Sequence, residues 1–270
     1  MLDNESGSSV LTPNGANFEL RFPDRDDGAD QDEERFELEL DGETRVLRSH
    51  DYGDIFAVPG LYEELFHEVL ECKSPERVCG LLAEEMASDQ VDGDDLTVLD
   101  VGAGNGLVAQ ELSERLDTES IVGVDIIPEA AAAAERDRPD LYDAYHVVDL
   151  TDIPKDTRAE LEDTEFNCMT SVAALGFGDI PPLAFSAAYN LIEDQGWIAF
   201  NIKEDFLNGN DSTGFSHLMR RMMDQGAIDV CGQERYQHRL SIAGDPLHYV
   251  AMVGRKQASV PLDWSAELAA

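Results

Sequence analysis

The second part of the chain repeats one hydrophobic pattern, in which short apolar runs alternate with longer segments of helical periodicity. Each segment between two runs is long enough to hold a helix, which is what a connection between parallel strands requires. The pattern predicts an α/β protein with a parallel sheet. The predicted strands are 98–101, 120–125, 145–148, 166–171 and 197–202, and the clearest helices are 107–116, the segment opening at Pro128, and 181–193.

The pattern changes after the fifth run. Residues 213–225 predict a helix with Phe215, Leu218, Met219 and Met222 on one face. Two strand-like segments follow, roughly 234–242 and 247–255, joined by Gly244-Asp245-Pro246. The prediction is a doubly wound, mainly parallel seven-stranded sheet that ends in an antiparallel hairpin.

The N-terminal part reads differently. Residues 36–40 and 44–47 flank Asp41-Gly42, a strong hairpin signal, and helices are predicted from Pro59 and from Ser74-Pro75. Residues before this hairpin are rich in Gly, Ser, Asn and Asp, so we expect much disorder, with Phe18, Leu20 and Phe22 as possible anchors. The expected divisions are a largely disordered acidic tail (1–33), an N-terminal extension (34–90), a ligand-binding domain (91–256) and a C-terminal tail (257–270).

A glycine-rich turn follows the first predicted parallel strand, with the sequence Asp100-Val101-Gly102-Ala103-Gly104-Asn105-Gly106. Glycine permits positive φ and lets a ligand approach the backbone, and the helix behind the turn offers unpaired N–H groups. The dinucleotide fingerprint G-x-G-x-x-G would require glycine at position 107, which is Leu107. A carboxylate beside the turn also disfavours a pyrophosphate and suits a ligand with an ammonium or sulfonium group.

A second acid ends the next predicted strand. Asp125 lies about 20 residues beyond the glycine turn, the spacing at which a carboxylate meets the hydroxyls of a ribose. Its neighbours Ile126, Ile127 and Pro128 open the following helix.

These motifs, in this order over residues 96–255, resemble class I S-adenosylmethionine-dependent methyltransferases. The resemblance implies S-adenosylmethionine as methyl donor, with Asp125 on the ribose, Ile126 against adenine and Asp149 near the exocyclic amine. Asn167 and Gln195 depart from the family pattern, which usually has an acid and a glycine there. With Tyr52 as a contact from the N-terminal extension, the expected cofactor-binding residues are Tyr52, Asp100, Gly102, Ala103, Gly104, Gly106, Asp125, Ile126, Asp149, Leu150 and Ser171.

The resemblance does not fix the acceptor. We expect a small molecule in an apolar cleft lined by Val172, Leu175, Phe177 and the N-terminal helices; a protein acceptor stays open. Methyl transfer needs a general base only if the acceptor enters protonated, and the candidates are His50, Asp54 and Asp179. No residue is singled out as catalytic.

Three other functions share parts of this pattern. A nicotinamide dehydrogenase conflicts with the glycine spacing. A polyamine synthase on the same fold would carry an acidic loop after the fourth strand, which is not evident here. A non-catalytic methyltransferase-like subunit would not need the complete set of glycines and acids. Amino-methylating DNA enzymes carry an Asn/Asp/Ser-Pro-Pro-aromatic motif directly after the fourth strand, where this chain has Ser171-Val172-Ala173-Ala174.

The amino-acid composition indicates the environment in which the protein works, and says less about its reaction. The chain has 57 acidic and 19 basic residues, a formal net charge of −38. Such self-repulsion is relieved by concentrated salt, so we expect a cytoplasmic protein of a salt-accumulating, halophilic organism. No broad basic patch suits nucleic acid. The four cysteines show no metal-ligand spacing, and no apolar run is long enough to span a bilayer, so neither metal nor membrane is expected.

Overall fold

The computed structural model describes residues 8–11, 17–22, 31–91, 93–175, 179–204 and 214–266. Within these ranges the chain forms two sheets and the helices that cover them. The strands are β1 (Ser8–Leu11), β2 (Asn17–Arg21), β3 (Arg35–Leu40), β4 (Glu43–Arg48), β5 (Thr97–Val101), β6 (Ser120–Asp125), β7 (Ala144–Val147), β8 (Cys168–Ser171), β9 (Trp197–Lys203), β10 (Ile228–Leu240) and β11 (Pro246–Lys256). The α-helices are α1 (Tyr52–Ala57), α2 (Ser74–Ser88), α3 (Leu107–Arg115), α4 (Pro128–Asp137), α5 (Lys155–Asp163), α6 (Pro182–Leu191), α7 (Phe215–Asp224) and α8 (Asp263–Ala266).

The large sheet has seven strands in the order β10-β11-β9-β8-β5-β6-β7. The pairings among β5 to β9 are parallel, whereas β11 pairs antiparallel with both β9 and β10. This confirms the predicted fold class, a doubly wound sheet closed by an antiparallel hairpin. The order reverses between β5 and β8, so the carboxyl ends of β5, β6 and β8 border the crevice where ligands bind in such sheets.

Both faces of the large sheet are buried. On one face α6 and α7 pack with the aromatic side chains of Phe185, Phe200 and Phe215, and on the other α2 and α3 contribute Val78, Leu82 and Leu112. The predicted apolar face of α7 is confirmed, because Phe215, Leu218, Met219 and Met222 are all buried. The continuous apolar runs in the sequence therefore reflect strands that are covered on both sides.

The hairpin strand β10 is longer at its start than expected. It begins at Ile228 instead of residue 234 and ends at Leu240. Its first residues alternate between buried and exposed positions, and a register shift lies between Val230 and Gly232. A half-exposed edge strand with an irregularity gives a weak hydrophobic signal, which explains the late predicted start.

The small sheet is antiparallel, in the order β1-β2-β3-β4. The predicted Asp41-Gly42 turn is confirmed, with φ of +54° and +82° at the two residues. Disorder over residues 1–33 does not hold for residues 17–22, because β2 pairs with β3 and buries Phe18 and Leu20. These two anchors supply the apolar area that the surrounding polar residues lack.

Polar contacts tie the small sheet and the chain end to the large domain. Glu34, just before β3, forms a buried ion pair with Arg239 of β10 at 2.8 Å between Oε2 and Nη2. The segment after β11, expected as a tail, is held by Asn190 of α6, whose amide exchanges two hydrogen bonds of 2.8 Å with the backbone of Val260. The Glu34–Arg239 pair thus connects the small sheet to β10, and the Asn190 hydrogen bonds connect the segment after β11 to α6.

Candidate active site

The glycine turn after β5 is built from left-handed backbone. Gly102, Gly104 and Gly106 have φ of +74°, +54° and +89°. A Cβ on Gly102 would lie 2.7 Å from the Cβ of Ala174, and one on Gly104 would lie 3.2 Å from Cζ of Phe56. Glycine is therefore required both by the dihedral angles and by the close approach of neighbouring chain.

Asp100 lies in β5, two residues before Gly102. Its side chain is buried, and it accepts hydrogen bonds from the Thr170 hydroxyl to Oδ1 (2.7 Å) and from the Tyr142 hydroxyl to Oδ2 (2.8 Å). Burial raises the pKa of Asp100 to about 6, although the two hydroxyl donors oppose the shift. The Asp100 carboxyl thus connects β5 to Thr170 of β8 and to Tyr142.

Asp125 joins the ends of β5 and β6. Its Oδ2 accepts from the Gly104 N–H and its Oδ1 from the Ile127 N–H, both at 3.0 Å. Each carboxylate oxygen can accept a further hydrogen bond, so two neighbouring ribose hydroxyls fit this group. Burial raises the pKa of Asp125 above its usual value, and the backbone donors oppose that shift.

The glycine turn, Asp125 and the N-terminal extension enclose a cleft of about 250 Å³. Ile126 lies on its wall with 59% of its surface exposed, so its apolar side chain is accessible from the cleft. Asp149 is also on the wall, where the Thr151 hydroxyl and N–H hold its pKa below the usual value. Of the residues predicted from sequence, the wall contains Tyr52, Gly102, Gly104, Asp125, Ile126, Asp149 and Leu150.

Four residues expected to bind the cofactor do not lie on this wall. Asp100 and Ala103 are buried beneath the turn, and Ser171 is buried in β8 with no hydrogen-bond partner for its hydroxyl among the described residues. Gly106 precedes α3, with its Cβ position 3.2 Å from Tyr142. Strand alternation explains Ser171: in a strand covered on both faces, the apolar pattern does not show which side chains point to the crevice.

The N-terminal extension forms a lid over the cleft, which we define as α1 and the π-helix Glu63–Val69 with the residues between them. Tyr52, Phe56 and Tyr62 of this lid line the cleft, and the Phe56 and Tyr62 rings stack at 4.9 Å. Phe56 also packs on Ala130 and Ala133 of α4. The sequence predicted Tyr52 as a contact from this segment but gave no sign of Phe56 or Tyr62. The residues around these two rings resemble those around aromatic side chains of a protein core.

A polar contact clamps the lid to the glycine turn. Oε1 of Glu63 accepts from Nδ2 of Asn105 at 2.6 Å and from Nη1 of Arg138 at 2.9 Å. The Arg138 guanidinium also donates to the carbonyl of Asn105 at 3.2 Å. The lid, the turn and the end of α4 are thus joined through one carboxylate.

Two of the three candidate bases, His50 and Asp179, lie on the cleft wall, and Asp54 does not. Nδ1 of His50 lies 3.2 Å from Oδ2 of Asp179, and both residues line the cleft. Asp54 is exposed on α1 and is not part of the cleft wall. Of the expected apolar lining, Val172 is on the wall, Leu175 lines an adjoining cavity, and Phe177 lies outside the described residues.

Two other expectations concern metals and membranes. Among the described residues no cluster of three or more His, Cys, Asp or Glu side chains could hold a metal ion. No helix in those ranges has the length and apolar content needed to cross a membrane.

The fold and the site together define the class of protein. A seven-stranded doubly wound sheet with a closing hairpin carries a glycine cradle that a Cβ would fill, and a carboxylate with acceptor capacity at the end of the next strand. These residues fit a nucleoside cofactor that lacks a pyrophosphate. That combination is the class I methyltransferase arrangement.

A family model described as a methyltransferase domain matches residues 63–232, which is more than half of the chain. The chain belongs to this family and is an S-adenosylmethionine-dependent methyltransferase.

Individual comparisons agree in fold. A crystal structure of an S-adenosylmethionine-dependent methyltransferase from Clostridium acetobutylicum has a TM-score of 0.50 and 10% identity, covering 73% of this chain and 97% of that one. A proposed sarcosine dimethylglycine methyltransferase from Galdieria sulphuraria also has a TM-score of 0.50, with 18% identity over 68% of this chain and 87% of that one.

One curated relative is similar in sequence, the mitochondrial ubiquinone biosynthesis O-methyltransferase of Candida albicans. It is 29% identical over 132 residues, which are 46% of this chain and 38% of that protein. The aligned part thus spans little more than a third of the relative.

Replacing Asp125 with Ala should weaken binding of S-adenosylhomocysteine. The change removes the acceptor of the Gly104 N–H and the carboxylate that we expect to accept hydrogen bonds from the ribose hydroxyls. We expect a loss of about 2–3 kcal/mol, roughly 30- to 150-fold in Kd by calorimetric titration. Asp54→Ala, an exposed acid off the cleft wall, is the matched control and should bind as the unmodified protein does. Equal affinity of the Asp125 variant would mean that this carboxylate does not contact the ligand.

The raised pKa of Asp100 predicts a pH-dependent stability. Because the folded-state pKa of about 6 exceeds the ordinary value of 3.8, ionisation of Asp100 costs folding free energy as pH rises through 6. In the ligand-free protein, the unfolding free energy of Asp100→Asn relative to the unmodified chain should therefore increase by about 2 kcal/mol between about pH 4 and about pH 8. Denaturant titrations at both pH values measure this, and a difference independent of pH would show that the folded-state pKa of Asp100 is not raised.

Proposed function

We propose that this methyltransferase methylates a hydroxyl group of a small-molecule acceptor, with His50 as the general base. The observation that carries the proposal is the pair formed by His50 and Asp179 at 3.2 Å on the cleft wall. A carboxylate beside Nδ1 favours the tautomer with its proton on Nδ1, which leaves Nε2 as the basic atom.

The cofactor end of the cleft has the residues for the methyl donor. The backbone at Gly102 and Gly104 would cradle it, Asp125 would bind its ribose, and Ile126 and Asp149 would flank its adenine. S-adenosylmethionine, when bound, supplies a methyl group already activated by the sulfonium charge. The protein therefore has to align the acceptor, exclude water and remove the acceptor proton.

His50 performs the last of these tasks in this proposal. The proton of the acceptor hydroxyl passes to Nε2 of His50, and the oxygen keeps the electron pair with which it would attack the methyl carbon. The O–CH₃ bond would form as the S–CH₃ bond breaks, and S-adenosylhomocysteine would leave with the electron pair on sulfur. Asp179 stabilises the resulting imidazolium through Nδ1–H. Burial raises the pKa of Tyr52 well above its usual value, so this neighbouring phenol stays neutral and does not compete as a base.

A hydroxyl acceptor is favoured over other nucleophiles by sequence similarity, since the Candida albicans relative is named as an O-methyltransferase. The aromatic lid residues Tyr52, Phe56 and Tyr62 suit a flat apolar acceptor body. We therefore take a phenolic compound as the acceptor class. A protein acceptor would have to insert a side chain beneath the same lid.

The acidic surface bears on the conditions in which the enzyme works. With a net charge of −38, screening by concentrated salt lowers the self-repulsion of the folded chain. We propose that the protein is a cytoplasmic enzyme of a halophilic organism. Its activity and binding should therefore be measured in molar potassium chloride.

The His50→Gln variant tests the proposal. Loss of the base should lower kcat for phenol about 10²- to 10⁴-fold, while the affinity for S-adenosylhomocysteine stays within about twofold. With 4-nitrophenol, which is ionised at mildly alkaline pH, the loss should shrink to about tenfold or less, because no proton has to be removed. Methyl transfer from labelled S-adenosylmethionine measures both rates.

His146→Gln is the matched control, because His146 lies in β7, off the cleft wall, with Nδ1 3.9 Å from Glu160. The proposal fails if His50→Gln methylates phenol at the unmodified rate, or if both phenols lose the same factor. Cofactor binding without methyl transfer to any hydroxyl compound would favour a non-catalytic, partner-binding subunit.

A further inference from the structure

A small cavity of about 30 Å³ adjoins the cleft, and we call it the polar side pocket. It shares His50, Tyr52, Tyr62 and Asp179 with the cleft wall, so it begins where the proposed base lies. Its volume admits a water molecule or a small substituent but not an aromatic ring. The residues specific to it that carry polar groups are Gln31, Cys72, His238, Arg239 and Tyr249.

Gln31 presents an unsatisfied acceptor at this pocket. The residue is 8% exposed, and its Nε2 donates to the Tyr249 hydroxyl at 3.1 Å. Its Oε1 is buried and has no hydrogen-bond partner among the described residues. A buried acceptor without a partner destabilises the folded protein, and a bound donor group would remove that cost.

His238 presents the complementary donor. Its Nδ1 lies 2.6 Å from the Ser74 hydroxyl, which in turn lies 2.7 Å from the Tyr236 hydroxyl. Nδ2 of Asn201 donates to both hydroxyls, at 2.9 and 2.7 Å. The consistent arrangement has Tyr236 donating to Ser74 and Ser74 donating to Nδ1 of His238.

The proton of His238 therefore sits on Nε2. Burial holds the pKa of His238 well below its usual value, so the ring is neutral and carries one N–H donor. The described contacts of the His238 ring nitrogens, to Ser74 Oγ at 2.6 Å and Cys72 Sγ at 3.9 Å, are both made by Nδ1, and Oε1 of Gln31 has no hydrogen-bond partner among the described residues. The pocket thus offers one donor and one acceptor.

The charge of the pocket selects a neutral group. Arg239 is in its wall, but its guanidinium is held by the Glu34 carboxylate and by the Leu240 carbonyl, both at 2.8 Å. Asp179 lies at the mouth of the pocket and disfavours an anion. A hydroxyl, which donates one hydrogen bond and accepts another, matches what remains.

We propose that the polar side pocket binds a second hydroxyl group of the acceptor, which donates to Oε1 of Gln31 and accepts from Nε2–H of His238. The acceptor is then a dihydroxylated aromatic compound, with one hydroxyl at His50 and the other in the pocket. This inference rests on the proposed function, because it deepens the description of the same acceptor site. Gln31 becomes a residue that determines specificity without taking part in proton transfer.

Binding to the complex with S-adenosylhomocysteine tests this without requiring turnover. The probes are phenol and the three dihydroxybenzenes, titrated by calorimetry in molar potassium chloride. At least one dihydroxybenzene should bind about tenfold more tightly than phenol, which corresponds to the two added hydrogen bonds. Gln31→Met, of similar volume, should reduce this preference to about threefold or less and leave the affinity for phenol within about twofold.

The matched control is Gln233→Met at an exposed position of β10, which should keep the full preference. Unchanged affinity for S-adenosylhomocysteine shows that the Gln31 variant is folded. Equal binding of phenol and all dihydroxybenzenes, or a preference that survives Gln31→Met, would overturn the inference. A third outcome separates the two proposals. If Gln31→Met loses the preference but the unmodified protein methylates none of these hydroxyl compounds, the proposed hydroxyl methylation is wrong and the assignment of the pocket stands.

Discussion

The candidate site depends on the glycine turn that follows β5, where neighbouring side chains lie close to the backbone. Gly102 and Gly104 are left-handed and have neighbouring side chains within 3.2 Å of their Cβ positions. This packing leaves Asp125 as the group that holds the turn, through the Gly104 N–H, and at the same time faces the cleft. The proposed nucleoside site and the approach of Phe56 to Gly104 both depend on that one arrangement.

The two carboxylates at the strand ends have separate tasks. Asp100 accepts hydroxyl donors from Thr170 and Tyr142 beneath the turn, whereas Asp125 combines backbone anchoring with access to the ligand. A sequence places both acids at the ends of neighbouring strands but does not show which one faces the crevice. That depends on hydroxyls contributed by elements distant in the chain.

The sheet could be predicted because its signals are local, and so could the positions of the glycine turn and Asp125, which carry the proposed cofactor site. The run from Asp100 to Gly106 and the strand ending at Asp125 carry their structure in a few adjacent residues. The acceptor end could not be assembled in this way. His50 precedes the lid and Asp179 follows β8, so their contact exists only after the extension packs across the sheet edge. The approach of Phe56 to Gly104 and the hydrogen bond of Gln31 to Tyr249 depend on the same long-range packing.

The most direct test of the account is a calorimetric titration of the purified protein in molar potassium chloride with S-adenosylmethionine, S-adenosylhomocysteine and NAD. The glycine spacing and Asp125 predict micromolar affinity for both sulfur ligands and no measurable binding of NAD. Binding of NAD, or no binding of either sulfur ligand to folded protein, would contradict the assignment of the cleft.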